Sequence, residues 1–136
     1  MVLDTNVIVS GLLKPRSLED QVLRLALAGY LALFLSPPIL AEYAAVLPRP
    51  KLKLKAVEVK RALSGIEKIG TLVQPSRVVK AAKHDEPDNR FLECAETAGA
   101  DFLITGNLRH FPAQWKTTRV VNARQFLEYF VSSRRD

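Results

Sequence analysis

Cysteine is nearly absent from this chain of 136 residues: Cys94 stands alone. A single thiol excludes an intrachain disulfide and fits a reducing, cytoplasmic setting. Internal repeats, low-complexity segments and obvious linkers are missing as well. The chain also lacks an unbroken apolar run. Residues 25–41, LALAGYLALFLSPPILA, carry no charge and are about as short as a bilayer-spanning helix can be. Gly29-Tyr30 and Ser36-Pro37-Pro38 cut them into three pieces, read as a helix end, a buried strand and a helix start. The opening MVLDTN leads to the expectation that no signal peptide precedes the domain.

What is present describes one globular domain spanning 1–136. Apolar content is 48% and charged content 25%, ordinary for a soluble protein with a sizeable core. Lys and Arg number 20 against 14 Asp and Glu, a formal charge of +6, with a pI near 9.7. Such a balance suggests an anionic partner, nucleic acid ahead of a membrane surface, or serves solubility alone. Against this background the acids are unevenly placed. Six of the 14, Asp85, Glu86, Asp88, Glu93, Glu96 and Asp101, fall between 84 and 101, where Arg90 is the only opposing Lys or Arg.

Hydrophobic spacing and capping residues predict alternating elements. VLD at 2–4 leads into a helix over TNVIVSGLL. Ser17, with Asp20 three residues on, caps a helix over 17–28. LALFLS at 31–36 reads as a strand buried on both faces. Ser36-Pro37 starts the next helix through PILAEYAAVL. A helix with Val59, Leu63 and Ile66 on one face follows a basic stretch, and TLVQ at 71–74 is a short strand. Pro87 opens a helix that buries Phe91, Leu92, Ala95 and Ala98 and stops at Gly99. DFLITG at 101–106 and RVV at 119–121 are strands, and Asn122 caps a last helix through 131. This alternation predicts an α/β three-layer sandwich: a mostly parallel central sheet flanked by helices. In such sheets the functional edge lies beyond the carboxyl ends of the strands.

Asp4 ends the first strand, Glu42 lies near the start of the helix after the second, and Asp88 lies in the first turn of the helix before DFLITG. Asn107 follows that strand. Oxygen ligands of this type suit Mg²⁺ or Mn²⁺, and three carboxylates gathered without a cation would repel one another. Capping or surface roles for Asp4 and Glu42 fit the spacing equally well. Asp85 is read as an N-cap, Glu86 as an acid at a helix start, and Glu93 and Glu96 as a solvated face.

VLDTNVIVSGLL, LSPPILAEYAAVL, DEPDNRFLECAETAGADFLITGN and LRHFP together resemble the PIN-domain family of metal-dependent nucleases. The likeness is strongest to the PIN proteins classed as toxins of prokaryotic toxin–antitoxin pairs. It implies an endoribonuclease in which Asp4, Glu42 and Asp88 are the catalytic acids and, with Asn107, hold Mg²⁺ or Mn²⁺. The family's fourth acid is replaced here by Asn107, which offers a neutral oxygen and no charge. Asn6 and Thr105 match the polar residues that support the carboxylates. The partners implied are an RNA substrate, a protein antitoxin and a second copy of the chain in a homodimer; no membrane is implied. The rival expectation is a PIN-like module that binds RNA or protein without turnover. A receiver-like phosphoacceptor domain is disfavoured, because NARQF after RVV supplies no lysine.

Substrate grip is assigned to Arg90 and Arg109, and to Lys51 and Lys53, which alternate with Leu52 and Leu54 as on one side of an extended segment. The same lysines read equally as a solvated basic surface. His110 is expected to pack on Phe111, and Trp115 and Phe111 to belong to the core or an interface. Cys94 is expected to be buried on its helix and not a nucleophile.

Overall fold

The computed structural model describes residues 1–82 and 86–134. Its elements run β1 (Val2–Leu3), α1 (Thr5–Leu13), α2 (Leu18–Leu27), β2 (Phe34–Leu35), α3 (Pro37–Val46), α4 (Ala56–Ile69) and β3 (Thr71–Leu72). They continue with α5 (Asn89–Ala98), β4 (Phe102–Ile104), β5 (Gln114–Trp115), β6 (Thr118–Val121) and α6 (Ala123–Arg134). Among the described residues, 3₁₀ turns at Pro50–Leu52, Glu86–Asp88 and Leu108–His110 punctuate the loops.

The sheet is mostly parallel. β1 pairs with β4 and β4 with β6 in parallel, with Leu3 opposite Ile104 and Leu103 opposite Val120. β5 adds an antiparallel edge on β6. On the other side β2 and β3 pair in parallel, and the Phe34 amide, donating to the Met1 carbonyl at 2.9 Å, joins them to β1. The mixed α/β sandwich, its central sheet flanked by the six α-helices of the described residues, thus has the architecture the alternation predicted.

Local chemistry explains most boundaries. The Ser17 hydroxyl accepts from the Asp20 amide and starts α2. The Ser36 hydroxyl accepts from the Ile39 amide, with proline at the first helical position of α3. Asn122 and Gln125 exchange side-chain and amide hydrogen bonds at the start of α6, a reciprocal cap. Gly99 ends α5 with φ +63, a left-handed conformation that glycine adopts without a Cβ penalty. Gly11 lets α1 approach α2, since a Cβ there would come within 3.2 Å of the Asp20 amide.

Leu3, Ile8, Leu35, Ile39, Tyr43, Phe91, Leu92, Leu103 and Ile104 are among the fully buried side chains. The Tyr43 hydroxyl donates to the Leu3 carbonyl. That bond satisfies a buried polar group and docks α3 against the residue that precedes Asp4. Among the described residues no helix is long and apolar enough to cross a membrane.

Three expectations are corrected. The strand at 31–36 contracts to Phe34–Leu35, with Leu33 and Leu35 buried but Ala32 exposed. Lys51 and Lys53 do not lie along an extended segment. Pro50 fixes φ at the start of a 3₁₀ turn, the Lys53 amide donates to the Pro50 carbonyl at 3.1 Å, and Lys53 itself turns left-handed at φ 57. Glu93 is not on a solvated face. It is 7% exposed, accepts from the Val79 amide at 2.9 Å and pairs with Arg90 at 2.8 Å. Glu96 is half-buried and pairs with Arg77 through Nε at 2.9 Å. The reading of Asp85 lies outside the described residues.

Candidate active site

The residue that follows β1 is Asp4. It occupies the N-cap position of α1, but its carboxylate makes no capping hydrogen bond. Instead Oδ2 accepts from the Thr105 hydroxyl at 2.7 Å. Thr105 stands one residue past β4, so the β1–β4 pairing itself sets the two side chains together. The backbone bond from the Asp4 amide to the Ile104 carbonyl, 2.9 Å, extends that pairing to the edge.

Thr105 is fully buried and works in both directions, since its hydroxyl oxygen accepts from the Asn107 amide at 2.9 Å. Asn6, in the first turn of α1, accepts through Oδ1 from the Gly106 amide, also at 2.9 Å. Residues 105–107 are therefore held to the start of α1 from two sides. Asn107 is exposed at the head of the Leu108–His110 turn, and its side chain makes no capping bond.

Glu42 projects from the second turn of α3 and is half-buried; its Oε2 accepts from the Thr5 hydroxyl. The Tyr43–Leu3 bond beside it and the Thr5–Glu42 bond together bring Glu42 to the same sheet edge as Asp4. Asp88 closes the Glu86–Asp88 turn at the start of α5, is 8% exposed, and makes no capping bond. Its Oδ2 lies 3.3 Å from His110 Nδ1.

The electrostatics register this gathering. Asp4 is 5% exposed, and burial pushes its carboxyl up from 3.8 to about 6. The Thr105 hydroxyl and the Thr5 backbone pull the other way, while the negative charges of Asp88 and Glu42 add to the rise. Ionising Asp4 at neutral pH is therefore costly without a nearby cation.

The donor set is all oxygen, which fits a hard divalent ion. Its spacing fits more loosely: among the described residues no three Asp, Glu, His or Cys side chains converge closely enough to hold a metal together. Mg²⁺ commonly takes one or two carboxylates and keeps several waters, and Asp4 with water-bridged neighbours meets that requirement.

Several side chains sit differently from expectation. His110 does not merely pack on Phe111. Phe111 is buried, and the His110 ring beside it faces Asp88. Thr5 holds Glu42 although spacing gives no hint of the contact. Arg90 is engaged by Glu86 at 2.9 Å as well as by Glu93, whereas Arg109 is exposed on the turn after Asn107. Cys94 is fully buried, and burial pushes its thiol up to about 12, so it is no nucleophile.

Comparison with known proteins matches residues 1–109 to the PIN domain family. The chain is also similar to an uncharacterised protein of Methanocaldococcus jannaschii, 27% identical over 110 residues that cover 79% of this chain and 70% of the relative. The matched span runs from β1 through the Asn107–Arg109 turn and contains Asp4, Glu42, Asp88 and Thr105. This chain belongs to the PIN-domain family, whose members are generally nucleases.

Proposed function

We propose that this protein is a metal-dependent endoribonuclease, and that it serves as the toxin of a toxin–antitoxin pair. The observation that carries the reading is Asp4: a buried carboxylate with a raised pKa, within electrostatic reach of Asp88 and Glu42 and held by Thr105. A Mg²⁺ or Mn²⁺ held by Asp4, with Glu42, Asp88 and Asn107 reaching it directly or through water, would acidify water and polarise a phosphodiester.

The chain's own residues contribute orientation and charge. Thr105 aims Asp4, Thr5 aims Glu42, and His110 faces Asp88. Asn6 braces the turn that carries Asn107. Arg109, exposed beside that turn, is the cation best placed to meet a substrate phosphate. Arg90 is tied to Glu86 and Glu93 and supports α5 instead. RNA as the substrate, a protein antitoxin and a homodimer belong to the same reading and rest on the family resemblance.

Purified protein with a single-stranded RNA and Mn²⁺ tests it. Cleavage that is lost in Asp4→Asn and in Asp88→Asn, each with an unchanged thermal midpoint or a higher one, is the expected result. Unchanged cleavage in either variant removes that residue from the site. For the toxin role, expression should slow a bacterial host, and the variant lacking all three carboxylates should not.

A second reading has a specific observation behind it. The absence of a tight three-ligand cluster among the described residues, together with the neutral Asn107, favours a PIN domain that binds RNA without cutting it. RNA binding with no cleavage in either Mg²⁺ or Mn²⁺ would select that reading.

A further inference from the structure

Most of the molecule's net positive charge lies in one stretch that includes none of the acidic-edge residues. Residues 49–68 contain seven basic side chains, Arg49, Lys51, Lys53, Lys55, Lys60, Arg61 and Lys68, against Glu58 and Glu67. That is a net +5 out of the chain's +6. All seven are exposed, and none takes part in an ion pair among the described residues. A solvated charge run on one helix face would need no further explanation. This one surrounds something else.

Between Pro48 and Leu54, which flank the Pro50–Leu52 turn, and α4 lies an open groove of about 360 Å³. Pro48, Leu54, Ala56, Val59 and Leu63 form its aliphatic part, and Lys60, Ser64 and the single acid Glu67 complete the lining. Arg49, Lys53, Lys55 and Arg61 are each chain neighbours of a wall or rim residue. Val57, the next residue after Ala56, is 58% exposed. The left-handed turn at Lys53 folds the loop back so that Leu54 faces the groove while the lysines on either side stay in water.

We propose that this groove docks an acidic protein segment that carries aliphatic anchor residues. The charge around the groove complements Asp and Glu, and the wall takes apolar side chains as a helix-in-groove site does. RNA would use only half of the surface. Its phosphates would meet the lysines, but its bases stack on aromatic rings, and the groove wall contains none. Two copies meeting face to face here would set the same net positive charge against itself, which argues against a symmetric contact through this groove. The inference does not depend on the nuclease reading, and none of its residues belongs to the acidic edge.

Panning a random hexadecapeptide display library on the full-length protein provides the test. The expected selection is peptides rich in Asp and Glu, with Leu, Ile, Val or Met spaced three or four residues apart. Two variants locate the seat: Lys60→Glu/Arg61→Glu reverses charge on the rim, and Ala56→Gln fills the groove from an exposed position. Each should weaken a selected peptide at least about tenfold, with an unchanged thermal midpoint. Enrichment of basic or uncharged peptides, no enrichment, or equal binding by both variants overturns the proposal. So does displacement of the peptide by a short oligouridylate whose own binding falls in both variants, which would reassign the surface to nucleic acid. Cleavage assays on the same variants are expected to show wild-type rates, so that this proposal and the nuclease reading can fail separately.

Discussion

The Thr105 hydroxyl donates to Asp4 Oδ2 at 2.7 Å across 101 positions of sequence. The same oxygen accepts the Asn107 amide, so one buried side chain ties the end of β4 to the end of β1. Thr105→Val keeps the shape and removes the hydroxyl. Asp4 would lose the main interaction that opposes its raised pKa, and the turn carrying Asn107 would lose an anchor. Mn²⁺ affinity, measured by calorimetry, is expected to fall by roughly 10- to 100-fold, the usual cost of losing a group that orients a ligand, and RNA cleavage should fall with it. Undiminished metal affinity would show that Thr105 only packs.

Asp4 itself should weaken the metal-free fold. Its folded-state pKa of about 6 lies above the ordinary 3.8. Between those values the folded protein binds a proton that the unfolded chain has released, so stability falls as pH rises through that window. In EDTA, Asp4→Asn is expected to raise stability at neutral pH by about 1–3 kcal/mol and to flatten the dependence on pH between about 4 and 6. Thermal midpoints of both proteins across that window provide the check. A lower midpoint for Asp4→Asn at neutral pH would sink the prediction.

Glu93 makes a separable test of the buried acid on α5. Glu93→Ala leaves the Val79 amide without its acceptor and removes one of the two carboxylates bound to Arg90. A loss of about 2–4 kcal/mol in denaturant titrations is expected. Glu93→Gln, which retains an oxygen for the Val79 amide, should lose about half as much. Equal losses would mean that the ion pair dominates.

Cys94 should be silent. A fully buried thiol pushed up to about 12 is expected to resist a thiol-exchange reagent at mildly alkaline pH for as long as the chain stays folded, and to react at once in denaturant. Rapid modification of the native protein would contradict the burial.

The sequence carried the architecture where local chemistry decides it. Ser17, Ser36-Pro37, Gly99 and Asn122 each mark a boundary through a cap or a left-handed residue, and each boundary stands where the spacing placed it. The β5–β6 hairpin was not legible. Its turn is made by Lys116 at φ 52, a residue that gives no turn signal. Glu93 was misread because helical spacing cannot foresee that the segment around Val79 crosses α5. At the site, oxygen-bearing residues after strands were visible one by one, but spacing left them as caps or surface charges. What gathers them is nonlocal: the β1–β4 pairing, the Tyr43–Leu3 bond and the turn that presents His110 to Asp88. Thr5 stayed hidden for the same reason, since its partner lies 37 residues away.

The family match ends at residue 109, yet β4 is sandwiched between β1 and β6, and the Thr105 amide donates to the Val121 carbonyl at 2.9 Å. A fragment cut to the matched span would lay bare one whole side of β4, an open ladder that invites edge-to-edge aggregation. It would also strip Phe126 from its edge-on contact with Phe102, centroids 5.4 Å apart. Truncations meant to isolate a minimal domain therefore need to run through α6.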